Sequence, residues 1–555
     1  MALRLSPLRL SCLLALGLVA LAPAQARVAD AAVTPAPAPA PAPAASPALD
    51  PTQLSAWVEQ ARERFEVPGI AVAVVKDGEV VFEGGWGVRE LGKPARVDAH
   101  TQFAIASNTK AFTAAALAVL VDQGALDWDD RVVEHLPWFR MSDPYVTANM
   151  QVRDLLTHRS GLGLGAGDLL FWPGSTYDTT EVVRRLAQVP LKTGFRERYA
   201  YDNILYAAAT VLIEQASGMS YARFLQQHFF TPLGMDATRA NADALRPDDQ
   251  PVSGHARADF TTLQPTFALT WHNASGAGGV YSSVHDMGAW MNAQLAAGRY
   301  TDARGREQQL FSPGQQKLMW SLQSPVDISE PSVPALAAAR PDFLGYGLGW
   351  FLSSYRGQRM AWHTGGWPGQ VSRVTLVPEL GLGVVVLTNQ ESGAAFNAIT
   401  MHVLDAYLAP PEKTDWIAAY AAAADRSRDR AEQAWEKRVQ ARNARAKPSL
   451  PLSAYAGTYR DAWYGDVEVT FEGGGLGMRF GASPLLSGRM QHWQHDTFLV
   501  KWDERTLNGD AFVTFSLDPD GAVREARMEA ASDLTDFSFD FQDLVLVPVP
   551  PAAAD

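Results

Sequence analysis

Residues 107–123 read SNTKAFTAAALAVLVDQ, and this stretch decides how the rest of the chain is interpreted. The apolar run after Lys110, with Gly124 directly behind it, predicts a helix from Ser107 to Gln123. A serine and a lysine three residues apart share one face of a helix. We therefore expect the Ser107 hydroxyl and the Lys110 amine to meet where this helix begins.

This pair of side chains has the chemistry of an activated nucleophile. A serine hydroxyl attacks poorly at neutral pH unless a base lies within hydrogen-bond reach. Lysine serves as that base only when neutral, and burial beside an apolar helix lowers the pKa of its ammonium group. A helix-capping serine beside a solvated lysine explains the same short motif equally well. Other parts of the sequence must decide between the two readings.

Two further motifs follow in order, Tyr201-Asp202-Asn203 and His363-Thr364-Gly365. With them the chain resembles the penicillin-recognising serine hydrolases, the group that holds class C β-lactamases, DD-carboxypeptidases, D-aminopeptidases and related carboxylesterases. The resemblance runs from about residue 55 to 405. It is carried by residues 67–69 (VPG), 107–110 (SNTK), 155–162 (LLTHRSGL), 201–203 (YDN), 232–235 (PLGM), 278–282 (GGVYS) and 363–366 (HTGG).

The resemblance implies a role for each matching position. Ser107 forms the acyl-enzyme, while Lys110 and Tyr201 share the general base and acid duties. Asn203 orients Lys110 and the substrate. The backbone N–H groups of Ser107 and Gly366 form the oxyanion hole, which stabilises charge that develops in the transition state. Neither a metal nor a cofactor is expected, and a cationic lysine beside Tyr201 is expected to favour the phenolate.

The third motif bears on the substrate. Many β-lactamases carry lysine where this chain has His363, and a histidine is charged only in part near neutral pH. We therefore expect weaker recognition of a substrate carboxylate. Thr364, Gly365 and Trp367 are predicted to contact the substrate, although Trp367 packing beneath its strand is an equal alternative. His158, in the Thr-His-Arg-Ser-Gly stretch, is expected to be structural, and residues 252–273 are expected to form a pocket wall.

Strand signals at both ends of residues 51–412 indicate the fold of this region. Apolar runs at 70–75 and 80–82 flank Asp77-Gly78, which is typical of a hairpin, and a second strand pair is expected at 372–377 and 383–387. Helices lie between them, including 107–123 and 204–216. The pattern predicts an α+β domain, β-lactamase-like, with an antiparallel sheet flanked by helices.

The remainder of the chain is expected to form a connecting helix and a second domain. Residues 413–448 are rich in Ala, Arg and Glu and predict a helix that ends at Pro448. Residues 449–550 contain short strand signals at 467–471, 498–502, 512–517 and 537–547, which predict a small all-β barrel or sandwich. From about Tyr455 this part resembles the lipocalin-like domain appended to some members of the group. It either shapes the active-site mouth or only supports the architecture.

The first fifty residues predict export. Arg4 and Arg9 precede the apolar run 10–21, and Ala-Gln-Ala at 24–26 offers a cleavage site, so residues 1–26 are read as a signal peptide. An uncleaved anchor is less favoured, because a membrane-spanning helix needs about 20 apolar residues. The Ala/Pro-rich residues 27–50 are expected to form an extended linker. We expect a periplasmic or secreted protein with no stable membrane span after cleavage.

Composition narrows the chemistry and the partners. The formal net charge of −13 argues against nucleic acid as a partner. The single cysteine, Cys12, lies in the predicted signal, which removes disulfides, thiolate catalysis and cysteine metal sites from the mature chain. The basic residues between 426 and 447 are interpreted as the solvated face of a helix. A small molecule or a peptide is the expected partner, and the sequence leaves the oligomeric state open.

Together these features predict an exported serine hydrolase that cleaves an amide or ester bond through an acyl-enzyme on Ser107. A small peptide with D-amino acids or a short-chain ester is the expected substrate. The alternatives are a penicillin or peptidoglycan sensor that is acylated without turnover, a β-lactamase, and a non-catalytic scaffold. The joint presence of Ser107, Lys110, Tyr201, Asn203 and His363 argues against the scaffold, because packing alone does not require those polar groups.

Overall fold

The computed structural model describes residues 49–550. The predicted signal peptide and nearly all of the predicted linker lie outside these residues. The described residues belong to one compact unit. Within residues 49–550, no helix combines the length and the apolar character that crossing a membrane requires.

The strands are β1 (Gly69–Lys76), β2 (Glu79–Gly87), β3 (Phe103–Ala104), β4 (His255–Ala258), β5 (Thr262–Pro265), β6 (Tyr281–Ser282), β7 (Arg299–Thr301), β8 (Glu307–Gln309), β9 (Ser324–Pro325), β10 (Leu344–Tyr346), β11 (Phe351–Tyr355), β12 (Gln358–Trp367), β13 (Gln370–Val377), β14 (Leu382–Thr388), β15 (Gly457–Asp461), β16 (Gly465–Glu472), β17 (Gly475–Phe480), β18 (Ser487–Gln494), β19 (Thr497–Trp502), β20 (Ala511–Leu517), β21 (Val523–Ala530) and β22 (Val547–Pro548).

The α-helices are α1 (Pro51–Arg64), α2 (Thr109–Asp122), α3 (Val132–His135), α4 (Pro144–Asn149), α5 (Thr179–Arg185), α6 (Ile204–Ser217), α7 (Tyr221–Leu225), α8 (Thr231–Leu233), α9 (Ser275–Gly278), α10 (Val284–Leu295), α11 (Pro313–Met319), α12 (Gly393–Leu408) and α13 (Trp416–Ala441).

The larger domain is built on an antiparallel sheet in the order β2-β1-β14-β13-β12-β11-β10-β9, which confirms the predicted α+β fold. The β1–β2 hairpin turns at Asp77 and Gly78, both with positive φ, as a two-residue hairpin requires. Alternate residues of β1 enter different cores: Ala71 and Ala73 lie in one, Ile70 in the other. Helices therefore cover both faces, with α2, α6 and α10 on one side and α1 and α12 on the other.

The smaller domain is an antiparallel sheet of eight strands in the order β21-β20-β19-β18-β17-β16-β15-β22. A bridge between Ala526 on β21 and Leu546 beside β22 brings its two edges together. The sheet is therefore a nearly closed barrel, and this resolves the predicted choice between barrel and sandwich. Its inward residues alternate along each strand, as the buried positions Val467 and Val469 of β16 illustrate.

The predicted strand at 537–547 is wrong. Pairing is confined to Leu546, which bridges Ala526, and to the short strand Val547–Pro548, and the residues before them form a loop with a short 3₁₀ turn, Phe541–Asp543. Aromatic and polar residues alternate here as they do in a strand, but the polar ones, Ser538 and Asp540, bond to the larger domain instead of facing water. We call residues 532–546 the barrel loop.

The barrel packs directly on the larger domain. The predicted connecting helix is shorter than residues 413–448, because α13 ends at Ala441. The Tyr177 hydroxyl donates to the Tyr464 carbonyl at 2.6 Å, and Arg185 Nη1 donates to the Trp463 carbonyl at 2.9 Å. These contacts hold the barrel beside the same face of the domain that carries Ser107.

Candidate active site

Ser107 lies on a short 3₁₀ turn, Ala106–Asn108, directly before α2. Ala106 has a φ of 47°, in the left-handed region that residues other than glycine rarely adopt. The turn is held against β13, since Asn108 Nδ2 donates to Ser372 Oγ at 2.8 Å and that hydroxyl donates to the Ile105 carbonyl at 2.7 Å. Strain of this kind persists where surrounding bonds enforce it, and here it presents Ser107 to a cavity.

Lys110 is fully buried on the first turn of α2. Its Nζ lies 3.1 Å from Ser107 Oγ, 2.7 Å from Asn203 Oδ1 and 2.8 Å from the Ala277 carbonyl. Burial lowers the pKa of the amine to about 7, although the carboxylates of Asp168 and Asp202 act in the opposite direction. Near neutral pH a large share of Lys110 is therefore uncharged and able to accept the Ser107 proton.

Tyr201 is half-buried and lines the same cavity. Burial raises the pKa of its phenol well above the ordinary value, and the interaction with Ser107 lowers it only in part. Lys110 Nζ lies 4.8 Å from the centre of the Tyr201 ring. Burial and the neighbouring carboxylates of Asp168, Asp202 and Asp536 therefore act against the phenolate that the sequence predicts. Tyr201 is a neutral phenol that donates or accepts one hydrogen bond.

Asn203 connects Lys110 to the buried carboxyl group of Asp168. It occupies the residue before α6, but its side chain makes no capping hydrogen bond to that helix. Its Oδ1 accepts from Lys110 instead, and its Nδ2 donates to Asp168 Oδ2 at 2.8 Å. The predicted contact between Asn203 and Lys110 is present, and the alternative reading of a simple cap does not describe its side chain.

His363 lines the cavity but is only 1% exposed, and it does not carry the partial charge that the sequence predicts. Its Nδ1 donates to the Thr364 carbonyl at 2.6 Å, so its Nε2 accepts from the Tyr346 hydroxyl at 2.9 Å. Burial, with Lys110 nearby, places the pKa of the imidazole well below its ordinary value. The ring is therefore neutral near pH 7, and the position offers no fixed positive charge to a substrate carboxylate.

The residues after His363 alternate along β12. Thr364 and Gly366 line the Ser107 cavity, whereas Gly365 packs so closely on the Ile105 carbonyl and Ala106 that a Cβ atom would clash. The predicted contact of Gly365 with the substrate is therefore replaced by a packing role that holds the Ser107 turn against the sheet. Trp367 is 3% exposed, stacks edge-on against Trp271 at 5.3 Å between ring centres, and borders an adjoining cavity.

The cavity at Ser107 has a volume of about 250 Å³. Its aromatic walls are Trp172, Tyr199, Tyr201, Trp271, Phe351 and Phe537. Among its lining residues in the described part of the chain, none is lysine or arginine, and Asp536 supplies a carboxylate. Three lining residues, Asp536, Phe537 and Ser538, come from the barrel loop. The barrel thus shapes the mouth of the site.

The structure also places His158 and residues 252–273, which the sequence predicts as a structural residue and a pocket wall. His158 is fully buried, accepts the Asp202 N–H at its Nδ1 at 3.2 Å, and packs on Tyr201 with ring centres 4.3 Å apart. This is a supporting position beneath Tyr201, as predicted. Of residues 252–273, Trp271 lines the Ser107 cavity, whereas His272 is exposed.

Sequence reasoning missed Asp168 and the barrel loop. Asp168 lies in a short 3₁₀ turn, Asp168–Leu170, with no motif around it. Asp536 and Ser538 lie far downstream, and Ser538 falls within the strand that the sequence predicts at 537–547. The polar residues that alternate there with aromatic ones were the available signal, and their burial is visible only in the structure.

Comparisons with known proteins follow the same division of the chain. A family model described as Beta-lactamase matches residues 54–408, and a domain of unknown function, DUF3471, matches residues 441–548. "Unguisins hydrolase ungD'" of Aspergillus campestris is 28% identical over 431 residues, covering 75% of this chain and 77% of the relative. "Protein flp" of Staphylococcus aureus is 24% identical, covering 61% of this chain and 63% of the relative.

Solved structures show the same fold. The penicillin-binding protein homologue from Pyrococcus abyssi, described as octameric, matches with a TM-score of 0.55 and 20% identity, covering 90% of this chain and 100% of its own. The D-amino acid amidase from Ochrobactrum anthropi SV3 matches with a TM-score of 0.52 and 21% identity. That match covers 64% of this chain and 99% of the amidase.

Proposed function

This chain belongs to the beta-lactamase family, as a serine hydrolase, and from that premise we propose that it cleaves an amide or ester bond through an acyl-enzyme on Ser107. The proposed substrates are a small peptide with D-amino acids or a carboxylic ester. One observation carries the proposal: Lys110 Nζ lies 3.1 Å from Ser107 Oγ, and the pKa of that amine is about 7. A nucleophile is therefore in contact with a base whose pKa lies near neutral pH.

The reaction follows from this pair. Ser107 Oγ attacks the substrate carbonyl carbon while its proton passes to Lys110 Nζ, and the N–H groups of Ser107 and Gly366 receive the developing oxyanion. The C–N or C–O bond then breaks, and the leaving group takes a proton from Lys110 through the neutral Tyr201 phenol. Water then attacks the acyl carbon while its proton passes to Lys110 along the same route. The bond between that carbon and Ser107 Oγ breaks, Ser107 Oγ takes the proton back from Lys110, and the acid leaves.

The cavity supports a neutral or amine-bearing substrate over a penicillin. A penicillin carries a carboxylate, and the lining of the cavity within residues 49–550 offers neither a lysine nor an arginine to pair with it. His363 is neutral there, and Asp536 adds a negative charge. A peptide with a free amino group or an uncharged ester avoids this mismatch. The relative named a hydrolase supports turnover, as opposed to a sensor that is only acylated.

We also propose export. Residues 1–26 have the charge and apolar pattern of a signal peptide, so the mature protein is placed in the periplasm or outside the cell. N-terminal sequencing of the protein recovered from a periplasmic fraction and from culture medium tests this. A start after Ala26 supports the proposal, and an intact Met1 in a membrane fraction contradicts it.

Intact-mass spectrometry tests the central proposal. Wild type, Ser107→Ala and the control Ser55→Ala on α1 are incubated with a fluorophosphonate probe, p-nitrophenyl acetate, D-alanine p-nitroanilide and benzylpenicillin. Ser55 lies on the opposite face of the sheet and tests for unspecific labelling. We expect a single fluorophosphonate adduct in wild type and Ser55→Ala, its absence in Ser107→Ala, and catalytic release of nitrophenol or nitroaniline.

Each other outcome contradicts a defined part of the proposal. A folded wild type without an adduct shows that Ser107 is not activated. A permanent acyl adduct without turnover indicates a sensor. Fast turnover of benzylpenicillin, with no release from the ester or the amide, indicates a β-lactamase.

A further inference from the structure

A chain of hydrogen bonds leads from the candidate base into the barrel. Lys110 Nζ donates to Asn203 Oδ1 at 2.7 Å, Asn203 Nδ2 donates to Asp168 Oδ2 at 2.8 Å, and the Ser538 hydroxyl donates to the same oxygen at 2.8 Å. Lys110, Asp168 and Ser538 are all buried. Four segments distant in sequence therefore meet in one buried network, and Ser538 is the member that belongs to the smaller domain.

We propose that Ser538 is a positioning residue for the hydrolase reaction: through Asp168 and Asn203, the barrel sets the placement and the charge of Lys110. The inference rests on the proposed function, because it assigns Lys110 the role of base. It assigns the barrel a part in the chemistry as well as in the shape of the cavity.

The anchoring of the barrel loop supports this role. The Asp540 carboxylate accepts the N–H groups of Gly167 and Leu169 at 2.7 and 3.2 Å, so it grips the residues on both sides of Asp168. The Asp536 carboxylate accepts the Ser538 N–H at 2.8 Å and orients the serine itself. The hydroxyl is therefore held in place from both sides.

The electrostatics explain why a single hydroxyl matters. Burial raises the pKa of the Asp168 carboxyl to about 8, while the hydrogen bonds from Asn203 and Ser538 favour its ionised form. Near neutral pH these two hydrogen bonds therefore increase the ionised fraction of Asp168. A charged Asp168 raises the pKa of Lys110, and a neutral one does not.

Other groups around Lys110 and Asp168 also affect the pKa values of these two residues. Asp168 Oδ1 is buried and has no hydrogen-bond partner within residues 49–550, so Oδ2 carries all the polar contacts of this carboxyl. The titratable groups that face Lys110 and Asp168 from the neighbouring elements are His158, Tyr201, Asp202, Tyr206, His363, Asp536 and Asp540. Of these groups, Asp536 also has Ser538 among the hydrogen-bond partners that lower its pKa, so Ser538→Ala acts on Asp536 as well as on Asp168.

Loss of the Ser538 hydroxyl should lower the pKa of Lys110. Ser538→Ala removes one donor from Asp168, so the carboxyl is neutral more of the time and the pKa of Lys110 falls. The acid limb of kcat/KM against pH then moves to lower pH, by about half a unit to one unit. Asp168→Asn removes the charge entirely and should move the limb further in the same direction. Ser538→Thr keeps the hydroxyl and should keep the wild-type limb.

The pH dependence of p-nitrophenyl acetate hydrolysis by the full chain tests the relay. Wild type is compared with Ser538→Ala, Ser538→Thr, Asp168→Asn and the control Ser516→Ala, a half-buried serine on β20. We expect kcat to fall severalfold in Ser538→Ala, because Lys110 is held less firmly and becomes a weaker base, and KM to stay within about twofold, because the loss of one hydroxyl changes the cavity lining little. A merely structural role would lower activity in Ser538→Ala without moving the limb.

A second readout separates this inference from the proposed function. Lys110 is titrated by NMR in protein labelled with ¹³Cε-lysine, and its signal is assigned by its loss in Lys110→Arg. A lower pKa of Lys110 in Ser538→Ala supports the relay even when an ester is not turned over. An unchanged pKa in both Ser538→Ala and Asp168→Asn overturns it, even when wild type is an active hydrolase.

Discussion

The Ser107 turn and the barrel loop both line the same cavity. The sequence predicts the first as part of the site but gives no indication that the second lies there. Ser107 and Lys110 lie three residues apart, and helix geometry alone brings their side chains together. Asp536 and Ser538 lie more than 400 residues further along the chain, and only the docking of the barrel brings them there. The Ser107–Lys110 pair is therefore a local feature of the sequence. The residues that set the pKa of Lys110 come from segments far apart in the chain.

Replacing the base gives the largest expected effect on the local side of this comparison. Lys110→Met keeps the length of the side chain and removes the proton acceptor, so kcat/KM should fall about 10³-fold. Steady-state hydrolysis of p-nitrophenyl acetate measures it, with Lys93→Met, an exposed lysine, as the control. Activity within tenfold of wild type would show that another group takes the proton.

The second largest expected effect is the change of wild-type kcat/KM with pH. The reaction needs neutral Lys110, and burial has lowered the pKa of that amine from 10.5 to about 7. As pH falls below 7 the amine is protonated, so kcat/KM should drop about tenfold per pH unit. A profile of ester hydrolysis between pH 5 and 9, corrected for unfolding, tests this. An acid limb near pH 10 would mean that burial does not tune the lysine.

The barrel loop should affect selectivity more than rate. Asp536→Asn removes the carboxylate from the cavity, so the preference for an amine-bearing substrate should fall about fivefold. The ratio of kcat/KM for D-alanine p-nitroanilide to that for its N-acetyl form measures this preference. Asp533→Asn, an exposed change in the same loop, is the control. An equal change in both variants would remove Asp536 from substrate recognition.

The smallest expected effect concerns the edge of the domain contact. Lys192 Nζ lies 2.8 Å from Asp543 Oδ1, and its side chain is 45% exposed. Because solvent screens such a pair, Lys192→Met should change the free energy of unfolding by less than about 1 kcal/mol. Denaturant unfolding followed by fluorescence measures it. A larger loss would show that the barrel is held on mainly by this ion pair and not by the buried loop.

The errors of the sequence analysis have one physical origin. The phenolate expected at Tyr201 and the partial charge expected at His363 both left out desolvation, yet the packing of segments remote in sequence shifts the pKa of both groups. The strand expected at 537–547 rested on alternation, which a loop that buries polar side chains in another domain also produces. Local patterns report periodicity, and they do not report what lies against a residue.

By itself the sequence determined the antiparallel sheet, because its hairpin turn and apolar runs are local signals, and it placed Ser107, Lys110 and Asn203 in one candidate site. Only the tertiary structure decided that Lys110 is buried enough to titrate near neutral pH, and that Asp168 and Ser538 stand behind it. The physical reason is that desolvation and charge coupling depend on every group packed around an atom, and those groups come from both domains.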